Sequence, residues 1–147
     1  MLIDDALRPF AGLATHPWAY PALEVVHLVG IGILLGNLVL FELRVWGLGA
    51  EIALRPLARL SLTLAVGGFC LAAMSGLLMF ASQPGELLGN RSFLIKLGLL
   101  MAAGTNAAAF HARGGLLHLD RIAKLQTLLS LGLWLGVIIC GRWIAYV

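Results

Sequence analysis

Of the four histidines in this sequence, His27 and His111 stand inside or at the end of long apolar runs, where an imidazole is most informative. A neutral imidazole ligates iron, copper or zinc. In hydrocarbon, an ionisable group costs several kcal/mol unless a partner or a task holds it there. His27 has Glu24 one turn before it and Gly30 one turn after it, and a glycine there leaves room for a flat macrocycle. The competing assignment is structural, with the imidazole hydrogen-bonded to a neighbouring helix or to Glu24. His111 closes a second run, preceded by Asn106 and Phe110.

These residues need elements to carry them, and the composition defines what kind. The chain has 147 residues, of which 61% are hydrophobic and 12% charged. Mean hydropathy is +0.97. A soluble domain carries about 25% charged residues to cover its surface, so lipid is the expected solvent. The net charge of +3 does not indicate nucleic acid, because the basic residues flank apolar runs and form no face with interleaved aromatics. The start carries Asp4 and Asp5, so no cleavable signal peptide is expected. Cys70 and Cys140 lie in apolar runs at different depths and read as small buried residues without a disulfide.

A membrane-crossing helix needs about 20 mainly apolar residues. Four runs qualify, over 22–45, 57–81, 92–112 and 122–143. The first is opened by Pro17-Trp18-Ala19-Tyr20-Pro21, with the aromatics suited to the interface, and the second is stopped at Pro84-Gly85. The expected fold is all-α, one integral-membrane domain built as an antiparallel four-helix bundle. The first and third loops hold six basic residues, Arg44, Arg55, Arg59, Arg113, Arg121 and Lys124, against four on the opposite face, Arg8, Arg91, Lys96 and Arg142. That bias places both termini outside, on the periplasmic side of a bacterial inner membrane. Small residues at Gly32/Gly36, Gly67/Gly68 with Ala72 and Gly76, the Ala102 to Ala109 stretch and Gly132/Gly136 suit close helix approach.

Depth then ranks the candidate partners. His27 is shallow from the outer face, whereas His111 ends a helix entered from that same face. At 1.5 Å per residue their rings differ in depth by roughly 20 Å, so one chain cannot place both on one metal. Met74 lies at the level of His27 and is a possible axial haem ligand beside it. Lys96 and Arg142 lie near that level too, placed to hold haem propionates or an anionic substrate, or to snorkel to headgroups. His118 is the second imidazole available to His111, or an idle loop histidine beside Asp120; His16 reads as idle at the outer surface. Glu42 and Arg44 either pair or anchor the end of the first helix.

The segments at 18–30 (WAYPALEVVHLVG), 41–48 (FELRVWGL), 90–96 (NRSFLIK), Asn106 with Phe110-His111, and 141–146 (GRWIAY) resemble an uncharacterised family of small four-helix bacterial inner-membrane proteins. The resemblance implies a proteobacterial inner-membrane home and singles out His27, Lys96, Asn106, His111 and Arg142. Glu42 is a departure, since the family more often has Asp there. More loosely, a four-helix membrane bundle with inward histidines is similar to b-type membrane cytochromes, cytochrome b561 among them, and to copper-resistance membrane domains.

The leading functional expectation is therefore membrane electron transfer through b-type haem, with His27 and His111 as metal ligands and quinone as an exchange partner. One alternative is a non-enzymatic integral subunit of a larger membrane complex. Transport of a metal ion or proton along Glu24, His27, Asn106 and His111 is the other. Within the haem reading, dimerisation could also bring two copies of His27 together. No P-loop, GxGxxG or CxxC motif supports a soluble-enzyme reading.

Overall fold

The computed structural model describes residues 8–146, so Asp4 and Asp5 lie outside the described residues. A 3-10 turn at Arg8–Phe10 leads into α1 (Ala11–Thr15), and four long helices follow: α2 (Ala19–Trp46), α3 (Leu54–Ser82), α5 (Arg91–Ala112) and α6 (Arg121–Trp143). A short helix, α4 (Pro84–Gly89), joins α3 to α5. The long helices have 28, 29, 22 and 23 residues and are apolar enough to cross a membrane. At 1.5 Å per residue the shortest is about 33 Å, more than the roughly 30 Å of hydrocarbon. Among the described residues there is no strand. This is a multi-pass membrane architecture, and helix is its necessary form, because lipid offers no partner to an unsatisfied peptide group.

All four expected spans fall inside these helices, which begin up to three residues earlier. The reason is local. Pro21 and Pro56 each sit third in their helix, in the first turn where the missing N–H has no intrahelical partner to lose. Pro84 does not merely stop α3; it opens α4. The ends of α2 and α5 are fixed by glycine. Gly47 (φ 106°) follows α2, with Leu48 N–H returning to Leu43 O. Gly114 (φ 67°) follows α5, with Gly115 N–H returning to Phe110 O. Both are left-handed closures that satisfy orphan carbonyls. Asn90 and Asp120 cap α5 and α6 through side-chain oxygens that accept from Phe93 N–H (3.2 Å) and Ala123 N–H (2.8 Å).

Helices α2 and α3 meet backbone to backbone. A Cβ added to Gly68 would lie 2.6 Å from Leu34 N, and one added to Gly30 would lie 2.7 Å from Ala72 N. Of the glycines expected at helix contacts, Gly32, Gly36, Gly67 and Gly132 have nothing within 4 Å of an added Cβ. The crossing uses Gly30 instead, so the room beside it is filled by α3 and not left for a macrocycle. Helices α5 and α6 are joined by side chains: Asn106 Nδ2 donates to Gln126 O at 2.8 Å, and Asn90 Nδ2 to Ile144 O at 3.1 Å.

All four long helices converge at one end, around buried Phe41 and Val45 of α2, Ala58 of α3, Phe110 of α5 and Ala123 of α6. Phe41 and Phe110 meet edge to face with centroids 5.9 Å apart. Trp46 Nε1 donates to Thr127 Oγ1 at 2.9 Å, tying α2 to α6. Farther along, Phe69 and Trp134 meet edge to face, and Phe80 stacks on Phe93.

Candidate functional site: the His27 imidazole

His27 lies two turns into α2, half-buried against α3. Its Nδ1 is 2.8 Å from Ala72 O and 3.2 Å from Ser75 Oγ. A carbonyl only accepts, so Nδ1 carries the proton and donates, which leaves Nε2 as the ring's lone-pair nitrogen when the imidazole is neutral. Ser75 Oγ itself donates to Leu71 O and Ala72 O, so it stands ready to accept from the ring. Gly76 lets the ring approach: a Cβ there would sit 3.2 Å from His27 Cε1. Sequence reasoning foresaw a hydrogen bond to a neighbouring helix but not these partners. The legible signal was the small residues Ala72, Ser75 and Gly76 at one-turn spacing on α3.

Lys96 of α5 is close enough to act on His27 through its charge, and it also neighbours Cys140. Its Nζ would be 3.8 Å from a Cβ on Gly141. Arg142 is exposed and turned to its own helix, with a guanidinium nitrogen donating to Tyr146 Oη at 2.6 Å and the guanidinium carbon 5.1 Å from the ring centre.

Met74 is not brought to His27. Its side chain is 66% exposed on the outward face of α3, while Ala72, Ser75 and Gly76 are the residues that meet the ring. A helix repeats every 3.6 residues, so sharing a level with His27 did not place Met74 on the facing side. His111 and His118 are both exposed, and His111 stands against Phe110 at the converged end. On α2 that end is marked by Phe41, 14 residues beyond His27, or about 21 Å along the axis. Among the described residues no group of three or more His, Cys, Asp or Glu is placed to hold a metal ion. Asn106 spends its amide on Gln126 O, and Glu24 is exposed.

The Glu42–Arg44 pairing is replaced by a different arrangement. Arg44 Nε and one terminal nitrogen donate to Ile52 O (2.8 Å) and Ala50 O (3.2 Å), closing the α2–α3 loop. Glu42 is 3% exposed, with Ser130 of α6 beside its carboxyl. Asp120, outside the spanning segments, has its carboxyl held below the usual aspartate value by the Ala123 N–H, with the Arg113 guanidinium 3.1 Å away adding to the effect.

No family model matches this chain, and neither do the curated proteins or the solved structures.

Proposed function

We propose that this chain is an electron-transfer protein of the bacterial inner membrane, in which His27 is the protein's ligand to a b-type haem and quinone exchanges electrons with it. The supporting observation is the His27 Nδ1–Ala72 O hydrogen bond of 2.8 Å. Metal-ligating imidazoles characteristically donate their other ring N–H to a carbonyl or carboxylate, which fixes the tautomer and raises ligand basicity. Here the acceptor is a backbone carbonyl, so the orientation of the ring is set by the fold itself.

His27 would be the residue that holds the haem, and Lys96 would supply a cation for a propionate. A second axial ligand from the same chain does not fit, since Met74 faces outward and His111 and His118 lie at the other end. A further ligand would have to come from elsewhere, such as His27 of a second copy. Bound haem supplies one-electron exchange. The chain's own part is to hold the imidazole, place a positive charge beside it and surround both with apolar helices. The helices form an antiparallel bundle with both termini periplasmic, the arrangement favoured by the basic residues of the first and third loops.

The test is the reduced-minus-oxidised absorbance of protein purified in mild detergent and supplied with haem. A Soret shift with a sharp α band is expected. A colourless preparation after haem addition turns the assignment to a non-enzymatic subunit of a larger membrane complex. One observation favours that second reading: the space beside Gly30 is filled by α3, which makes the His27 bond a clip between two helices.

A further inference from the structure

We propose that Glu42, together with Ser61 and Ser130, forms a proton-binding site at the converged end of the helices. This inference is independent of the haem assignment. Glu42 is 3% exposed and Ser61 1% exposed. Glu42 Oε2 and Ser61 Oγ are the two buried side-chain polar atoms without a hydrogen-bond partner among the described residues. Both lie on the turns that carry the buried cluster at the converged end: Glu42 follows Phe41 on α2, and Ser61 lies one turn from Ala58 on α3. Ser130 reaches the carboxyl from α6.

A carboxylate in such a place needs an opposite charge, and the elements around it supply none. Arg44 is committed to the carbonyls of Ala50 and Ile52. On α3, Arg55 and Arg59 are exposed, as are His111 of α5 and Arg121 and Lys124 of α6. Among the described residues the one ion pair is Arg113 with Asp120. An unpaired charge in apolar surroundings is costly, and neutralisation is the usual escape.

A bound proton removes the unpaired charge. Carboxylate plus a proton from the aqueous phase gives a carboxylic acid, with no electrons exchanged. The new O–H turns Oε2 from an unmet acceptor into a donor, and one water between Oε2 and the Ser61 hydroxyl would give both buried atoms a partner. Exchange with water is short-range, because Glu42 lies four residues before the end of α2, about 6 Å along the axis.

The test is infrared difference spectroscopy of the full chain in lipid bilayers, following the C=O stretch of a protonated carboxyl. Glu24, Glu51, Glu86 and Asp120 are exposed, and the Glu42 substitutions identify which carboxyl gives the band. A single band that shifts in D2O, disappears in Glu42→Gln and persists at altered frequency in Glu42→Asp is expected. Ser61→Ala should move it to higher frequency by removing the acceptor. A wild-type protein without the band at neutral pH, or a band unchanged in Glu42→Gln, overturns the site. A band unmoved in Ser61→Ala removes Ser61 from it.

Discussion

The two ends of the bundle solve the same problem in opposite ways. At the Phe41 end all four helices touch, large side chains interlock, and a carboxyl is enclosed with one oxygen unmet. At the His27 end, α2 and α3 come together through glycines, the imidazole is only half-buried, and its proton is already given to a backbone carbonyl. The enclosed end is stabilised by side-chain volume. The other is stabilised by the absence of side chains, and its imidazole is held through Nδ1 alone among the described residues. The difference teaches that an intramembrane titratable group must be read with its packing: His27 is positioned, whereas Glu42 is sequestered.

Substitutions can break this contrast, and the largest effect belongs to the enclosed end. Phe41→Ala should cost about 3 kcal/mol in thermal or denaturant unfolding in detergent. That is the low end for a buried aromatic, because the unfolded helices stay in an apolar medium. Gly68→Ala should cost about 2 kcal/mol, since the added methyl meets the Leu34 backbone and the helices must separate. Gly132→Ala, with nothing within 4 Å, should be neutral or stabilise by about 0.5 kcal/mol through helix propensity. If Gly68→Ala and Gly132→Ala behave alike, the glycine crossing is not what joins α2 to α3. Trp46→Phe should cost about 1 kcal/mol by removing the donor to Thr127 Oγ1 at the enclosed end.

The smallest expected effect is a pH dependence at the cap of α6. Asp120 has a folded pKa below its ordinary 3.8. Its stabilising contribution is therefore complete above that value and is lost as pH falls through the depressed folded value. Asp120→Asn, which still caps, should flatten this acid limb of the unfolding curve; an unchanged limb assigns it to another group.

The spans were legible because the requirement for about 20 apolar residues is written directly in the chain. Facing was not. Met74 and Ser75 are neighbours in sequence, yet one points outward and the other meets His27, and only the rotation of α3 against α2 decides which. Gly30 and Gly32 differ in the same way: both belong to runs of small residues, but only Gly30 faces the partner backbone. From sequence Arg44 could either pair with Glu42 or anchor the helix end, and the loop carbonyls of Ala50 and Ile52 take its guanidinium. The seclusion of Glu42 also required Ser130 from a distant segment, which no local pattern announces.

The proposed ligand role of His27 is best separated from its clip role by comparing two substitutions in one haem-supplemented preparation. His27→Asn places an amide donor near the position of Nδ1 and so keeps a partner for Ala72 O, but it removes Nε2. Retained thermal stability with complete loss of the reduced-minus-oxidised α band is the expected result, with His111→Asn keeping the band. An α band undiminished in His27→Asn would contradict ligation by His27.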